Sequence, residues 1–237
     1  EILTDELAEL VGHGAGLAIL MGVPVAILTS VFLSRYCPKK FYGICKSGIN
    51  LMAGIPSIVY GFFGLVVVVP IIRDFGRALK DAGLIKNAGD GNSILTTSLI
   101  LAMMILPTII GTTESAMRAV PAHYYEGALA LGATKERSIF RVIIPAAKSG
   151  VIAGIVLGIG RAVGETMAVI MVAGNQPRLV GNLFKGIRTL TGNIVMEMGY
   201  ATGLHREALI ATGVVLFVFI LIINFSVALL KRRTDHE

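Results

Sequence analysis

The sequence predicts an all-α fold, a polytopic bundle of transmembrane helices. Hydrophobic residues make up 54% of the 237 residues and charged residues only 15%, whereas a soluble domain has about a quarter charged residues. Five apolar stretches are each long enough to cross a hydrocarbon core about 30 Å thick, which takes about 20 helical residues. The chain also has 28 glycines, which let helix backbones approach closely in lipid. Together these observations favour a bundle of tightly packed spans.

Five spans are expected, at approximately 13–34, 47–72, 93–117, 149–175 and 207–230. Prolines inside these stretches should kink or locally break the helices: Pro24, Pro56, Pro70 and Pro107. The transmembrane domain is therefore predicted to cover residues 13–230.

The two ends of the chain are predicted to lie outside the bundle. Residues 1–12 place acidic and apolar positions at helical spacing, which predicts a short amphipathic helix at the outer surface. Residues 231–237 form a basic tail on the cytoplasmic side. Because the sequence begins with Glu1 rather than Met, an upstream segment is expected to be missing.

Lysine and arginine set the orientation of the spans. Four, five and three of them lie in residues 35–46, 118–148 and 231–237, against none, four and four in residues 1–12, 73–92 and 176–206. The first group of segments is therefore predicted to be cytoplasmic. This asymmetry also accounts for the net charge of +6, so a nucleic-acid-binding function is not expected.

The cytoplasmic segment 118–148 reads RAVPAHYYEGALALGATKERSIFRVIIPAAK. Pro121 suits the first turn of a helix, and Gly132 suits a left-handed helix stop. A second amphipathic stretch runs from Thr134 to Ile144 and ends at Pro145. The pattern predicts a helix, a glycine turn and a second helix, which would suit insertion into a partner or an ordinary connector.

The spacing in this segment resembles the EAA loop of bacterial ABC importer permeases, E-A-A-x3-G-x9-I-x-L-P. The matching positions are Glu126, Gly127, Ala128, Gly132 and Pro145. Gly replaces the second residue of the pattern, Val replaces Ile, and Ile replaces Leu. The resemblance implies that residues 121–145 form coupling helices that dock on separate ATPase subunits.

Most of the remaining chain resembles the phosphate-specific permeases of these importers. The similar stretches are NLMAGIPSIVYGFFGLVVVVP (50–70), MILPTIIGTTESAMRAVP (104–121) and GIGRAVGETMAVIMVAGN (158–175), while MEMGYATGLHREAL (196–209) is similar to the PstC-type member of the permease pair. The resemblance implies a type I ABC importer permease fold in the inner or plasma membrane, with a further N-terminal helix that this chain lacks.

The resemblance also implies partners. These are a second, PstA-type permease, a cytoplasmic ATPase dimer and a periplasmic or lipoprotein phosphate-binding protein. A permease for another oxyanion, molybdate or sulfate, is the main alternative. A channel-like or structural membrane subunit is a further one.

Two charges are expected near the centre of the fourth span. Arg161 and Glu165 would lie four residues apart on one helix face, and a central charge costs about 2.5–3.5 kcal/mol on insertion scales, so both should face protein or a cavity. Arg161 then offers a fork of donors to a tetrahedral oxyanion, Glu165 neutralises it in the empty state, and Thr166 adds a contact. An internal ion pair that locks the helix is the alternative.

Other polar residues are predicted to be structural. Glu114, four residues before Arg118, is expected to form an ion pair at a helix end rather than to bind substrate. Cys37 and Cys45 are expected to be free thiols, and no histidine has a second ligand at metal spacing. The outer segment 176–206 would serve equally as a surface for a binding protein or as a solvated connector.

The sequence predicts a transporter subunit rather than an enzyme. It contains no G-x4-G-K-[ST] segment, since the Lys-Ser pairs at Lys46 and Lys148 follow Cys and Ala. Neither a cofactor nor a metal is expected, and the energy would come from a separate ATPase.

Overall fold

The computed structural model describes the backbone of residues 2–176 and 182–235 and the side chains of residues 14–176, 182–222 and 225. Its α-helices are α1 (Ile2–Val31), α2 (Lys39–Gly54), α3 (Ser57–Phe63), α4 (Val69–Asp81), α5 (Ile94–Ala119), α6 (Ala122–Ala130), α7 (Lys135–Ser138), α8 (Ile144–Ala146), α9 (Lys148–Gly164), α10 (Met167–Val172), α11 (Leu190–Glu197) and α12 (Gly203–Asp235). π-Helical turns follow α1 (Phe32–Tyr36), join α3 to α4 (Gly64–Val68) and join α7 to α8 (Ile139–Ile143). The predicted all-α class is confirmed.

Within the described residues, four helical stretches are long and apolar enough to cross a membrane: Gly14–Tyr36, Ser57–Asp81, Ile94–Ala119 and Gly203–Ile222. A fifth is obtained if the bent pair Lys135–Ala146 and Lys148–Gly164 counts as one span. The first and third predicted spans are confirmed within two residues, and the fifth lies inside α12. Helices α1 and α5 run uninterrupted through Pro24 and Pro107, so these prolines do not break them.

The second predicted span, 47–72, has the wrong bounds, whereas the predicted helix break at Pro56 is confirmed. Helix α2 ends at Gly54, and the span begins only at Ser57. Pro56 lies between them with ψ 143°, in an extended conformation. Proline has no N–H and disfavours a helical conformation of the residue before it, which accounts for the position of the break at Ile55 and Pro56.

The fourth predicted span, 149–175, is also wrong as a single helix. Helix α9 ends at Gly164, and α10 starts at Met167. The Glu165 carboxylate accepts a hydrogen bond from the Ala168 N–H at 3.1 Å. A side chain that satisfies a free N–H at the start of the next helix favours a new helix over continuation of the old one.

The chain divides into two compact units. The first contains residues 1–21, 55–104 and 161–222, and the second contains residues 22–54, 105–160 and 223–237. In the first unit, α3 packs closely against α10, because a Cβ on Gly61 would lie 2.8 Å from the Cα of Ala168.

The second unit is built on a close crossing of α9 and α5. Gly150, Gly154 and Gly158 repeat every fourth residue of α9 and therefore share one face. A Cβ on Gly150 would lie 2.2 Å from the Ala116 Cβ, and one on Gly158 would lie 2.7 Å from the Ile109 side chain. Small residues at this spacing allow the two backbones to approach as membrane helices often do.

The predicted outer helix over residues 1–12 has side chains that lie outside the described residues. The backbone of α1 is helical from Ile2 onward and is continuous with the first span. The side chains of the basic tail, residues 231–237, also lie outside the described residues.

Candidate functional site

The coupling segment, residues 121–145, has the predicted helix–turn–helix form. Helix α6 follows Pro121, which precedes the helix instead of occupying its first turn. Gly132 has φ +84°, and the Ala133 N–H donates to the Ala128 carbonyl at 3.1 Å. A left-handed glycine with this hydrogen bond is a common way to end a helix.

The second part of the segment is also locally determined. The Thr134 hydroxyl accepts from the Arg137 N–H at 3.3 Å and thus caps α7. The helical run then continues to Ala146, so Pro145 lies inside it rather than at its end. Pro145 is tolerated there because it lies at the start of α8, just after the π-helical turn.

One side of the coupling segment is exposed and the other is buried. Glu126, Gly127 and Gly132 are exposed, and Leu131 is 91% exposed. Ile139 and Ile143 are fully buried in an apolar cluster of the second unit, with Val31, Met117, Val120, Ala147 and Val151. The segment is therefore held firmly from one side, and the matched residues of the EAA pattern stay available to a partner.

The three predicted substrate-path residues lie at the end of α9 and just beyond it. Arg161 is in the last turn of α9, whereas Glu165 and Thr166 lie after the helix has ended. The expectation that Arg161 and Glu165 share one helix face is therefore wrong. No ion pair joins Arg161 to Glu165 in the described part of the chain. Both side chains, and that of Thr166, are partly exposed.

Glu165 lines a small cleft in the first unit, about 30 Å³ in volume. Three threonines, Thr97, Thr189 and Thr191, also line it. The Thr191 hydroxyl donates to the Glu165 carbonyl at 3.4 Å. A carboxylate and several hydroxyls in one cleft provide polar partners for water or a small ion. The threonines of the outer segment had no sequence signal that linked them to Glu165.

Glu114 forms the predicted ion pair with Arg118 and has two further partners. Its side chain is buried, and Lys46 Nζ lies 2.5 Å from Oε2 while the Tyr42 hydroxyl donates to Oε1 at 2.7 Å. Nothing in the sequence linked Lys46 or Tyr42 to Glu114. This hydrogen bond raises the pKa of Tyr42.

The outer segment contains a second ion pair. Arg188 Nη2 donates to Glu197 Oε1 at 2.7 Å, and His205 Nε2 lies 3.9 Å from Glu197 Oε2. A hydrogen bond from Tyr200 is the main cause that lowers the pKa of Glu197. Arg178 lies outside the described residues. No group of three metal-ligating side chains occurs in the portion of the chain with described side chains.

Comparison with known proteins identifies the family. The model of the family "Binding-protein-dependent transport system inner membrane component" matches residues 18–236. A probable ABC transporter permease protein of Bacillus subtilis, YqgH, is 38% identical over 88% of this chain and 66% of its own length. The phosphate transport system permease protein PstC of Mesorhizobium japonicum is 36% identical over 93% of this chain and 71% of its own.

The fold is shared with solved transporters. A bacterial ABC transporter involved in the import of the acidic polysaccharide alginate matches with a TM-score of 0.69 at 16% identity, over 96% of this chain and 78% of the other. The chain spans about two thirds of the length of the curated relatives it matches. With its apolar helices and a family match over almost its whole length, the chain is a multi-pass inner-membrane protein that belongs to the binding-protein-dependent transport system inner membrane components.

Proposed function

We propose that the chain is the permease subunit of an ATP-driven importer of inorganic phosphate. The observation that carries this proposal is its similarity to permeases named for phosphate transport, which are 33–36% identical over 86–93% of the chain. Identity at this level extends well beyond the coupling segment, which permeases for many substrates would have in common.

The exposed side of the coupling segment supports one of the proposed partners, the ATPase. On the coupling segment, Glu126, Gly127, Gly132 and Pro145 are exposed and Ala128 is partly exposed, while Ile139 and Ile143 pack in the apolar cluster. This favours docking into a groove on a cytoplasmic ATPase dimer that hydrolyses ATP for the chain. A second, PstA-type permease would complete the path, and an external phosphate-binding protein would load it.

Arg161 is the proposed phosphate ligand. Its guanidinium is within electrostatic range of Tyr60 and forms no ion pair with the described carboxylates. A guanidinium without a bound carboxylate presents two parallel N–H donors to an oxyanion. The arrangement supports the substrate-path role over the alternative of a helix-locking ion pair.

Glu165 and Thr166 are proposed to contribute at the helix break. Glu165 uses Oε1 to cap α10 and remains partly exposed. Backbone at membrane depth that leaves the helix is tolerated where it is buried in protein or lines a cavity. In the proposed path, Glu165 offsets the charge of Arg161 when no anion is bound, and the Thr166 hydroxyl adds a polar contact.

The test is ATP-dependent uptake into proteoliposomes that contain the complete importer and its external binding protein. Labelled phosphate should accumulate, and a tenfold excess of unlabelled phosphate should suppress the signal. Equal excesses of sulfate and molybdate should leave it unchanged. Preferential suppression by sulfate or molybdate would assign the other oxyanion, and accumulation without ATP would support the channel-like alternative.

A further inference from the structure

The cytoplasmic ends of the first and third spans are joined by two reciprocal hydrogen bonds. Arg35, after α1, donates from Nη2 to the Met117 carbonyl at 2.8 Å. Arg118, in the last turn of α5, donates from Nη2 to the Leu33 carbonyl at 3.0 Å. Carbonyls in the last turn of a helix lack a partner within the helix, and cations there are favoured by its dipole. Each of the two spans therefore supplies an arginine that hydrogen-bonds a carbonyl at the end of the other span.

A buried acid connects this pair of bonds to α2. Glu114 is 1% exposed and binds Arg118, Lys46 and Tyr42. The Arg118 guanidinium also lies 4.1 Å from the centre of the Tyr42 ring. One carboxylate thus accepts from two cations and a hydroxyl, and it holds α2, which carries Tyr42 and Lys46, to α5. We call Arg35, Tyr42, Lys46, Glu114 and Arg118 the cytoplasmic clamp.

The coupling segment touches the end of the first span at two points. Tyr125, on α6, lies under the Arg35 guanidinium at 5.8 Å from the ring centre. Lys135, the first residue of α7, lies 4.3 Å from the centre of the Tyr36 ring. One point comes from each helix of the segment, on either side of the Gly132 turn. A movement of the whole coupling segment therefore acts on Arg35 and Tyr36 together.

The apolar side of the segment makes the same connection. Ile139 and Ile143 pack in one buried cluster with Val31 of the first span and Met117 of the third. Buried side chains pack at crystal-like density and transmit displacement with little compression. Because Met117 also supplies the carbonyl bound by Arg35, the apolar cluster and the clamp share an element.

From this arrangement we propose that the cytoplasmic clamp transmits movement of the coupling segment to the first and third spans, with Glu114 as its positioning residue. The inference rests on the proposed transport function, because in that function the movement starts at the ATPase and passes from the coupling segment to the spans. Loss of the clamp should then separate ATP hydrolysis from transport without preventing the ATPase from docking. A carboxylate that only stabilised the fold would lower both activities in parallel.

The first test measures phosphate transported per ATP hydrolysed in the reconstituted complete importer. Glu114→Gln should lower this ratio about fivefold or more, with ATPase co-purification unchanged. Asp74→Asn is the matched control, because this exposed carboxylate in α4 pairs with Arg73 and Arg77 outside the clamp. Its ratio should equal that of the wild type. An unchanged ratio in Glu114→Gln would overturn the proposal.

A double-mutant cycle covers the case in which Glu114→Gln does not fold. Lys46→Met removes a cation at the α2 side of the clamp, and Tyr125→Leu removes the contact on α6. If both act through one relay, the double variant should lower the ratio no further than the more severe single variant. Effects that multiply would contradict a shared relay.

The second test does not depend on the identity of the transported anion. Spin labels at Leu131 and Ile44, both exposed, report the distance between the coupling segment and α2, with Cys37 and Cys45 replaced by Ser. In the ATPase-bound protein this distance should stay constant between nucleotide-free and vanadate-trapped states, because the clamp makes both elements move together. In Lys46→Met it should change by several ångströms. A change already present with the intact clamp would overturn the proposal, even if phosphate uptake were confirmed.

Discussion

Glu114 and Glu165 are carboxylates that differ in how fully their oxygens are hydrogen-bonded. Glu114 is 1% exposed and binds two cations and a phenol. Glu165 is partly exposed, caps α10 with one oxygen and lines a cleft. A buried charge is stable only when its partners are complete, whereas a charge beside a cavity keeps capacity for a ligand. The two environments therefore predict that Glu114 positions the helices around it and binds no substrate, whereas Glu165 belongs to the substrate path.

The largest expected effect is on stability at the satisfied carboxylate. Glu114→Gln leaves Lys46 and Arg118 without their counter-charge and should lower the free energy of unfolding by about 3 kcal/mol, the lower end for a buried pair because both cations reach solvent. Glu165→Gln should change it by less than about 1 kcal/mol, since the amide oxygen still caps α10. Thermal unfolding in detergent measures both. If both variants lost the same free energy of unfolding, the two carboxylates would not differ in their contribution to stability.

The next effect concerns phosphate uptake and the proposed substrate path, where Arg161 has no carboxylate partner among the described residues. Arg161→Gln should lower ATP-dependent phosphate uptake by about tenfold to a hundredfold, the value of a charge-assisted hydrogen bond of about 1.5–3 kcal/mol. Its unfolding temperature and its co-purification with the ATPase should remain unchanged. Uptake at the wild-type rate would remove Arg161 from the path.

A smaller effect should come from the crossing of α9 and α5, where both faces are close-packed instead of charged. Gly150→Ala places a Cβ 2.2 Å from the Ala116 Cβ, so the helices must separate, and the free energy of unfolding should fall by about 1–3 kcal/mol. Gly160→Ala on the same helix meets no atom within 4 Å and should be neutral or stabilising by about 0.5–1 kcal/mol. If the two variants were equally stable, the close crossing of α9 and α5 would not contribute to the stability of the second unit.

The smallest effect is a pH dependence at a third carboxylate, Glu197, whose side chain is partly exposed. The hydrogen bond from Tyr200 and the pair with Arg188 lower its pKa. A lowered pKa in the folded state contributes stability above the unfolded pKa of about 4.3, which is lost as the pH falls through the folded value. Hydrogen exchange in α11 should therefore be slow at pH 6 and faster at pH 3.5, after correction for intrinsic rates. Tyr200→Phe should reduce that difference.

Much of the fold could be predicted from the sequence because local patterns determine it. The lengths of the apolar stretches gave the first, third and fifth spans, and Gly132 with Thr134 gave the turn of the coupling segment. These features depend on hydropathy and on conformational preferences that operate within a few residues. The resemblance to ABC permeases supplied the family, which the comparisons confirm.

The choice of which proline breaks its helix, the break between α9 and α10, and the clamp could not be predicted in the same way. Pro24, Pro56 and Pro107 all lie in apolar stretches, yet only Pro56 ends a helix, because packing decides whether a helix continues past a proline. Glu165 leaves α9 to cap α10, a choice between two local hydrogen bonds that hydropathy does not register. Tyr42 and Lys46 reach Glu114 across 72 and 68 residues, and no sequence spacing reveals such a pair.

The clamp also has a consequence for biosynthesis. Lys46 is made 68 residues before Glu114, so at about 5–20 residues per second the ribosome needs roughly 3–14 seconds to supply the partner of this cation. Throughout that interval Arg35 and Lys46 are uncompensated positive charges beside a newly inserted span, the state in which such charges retain a loop in the cytoplasm. We therefore expect Arg35 and Lys46 to act first as a topogenic signal and later, once α5 has been inserted, as members of the clamp.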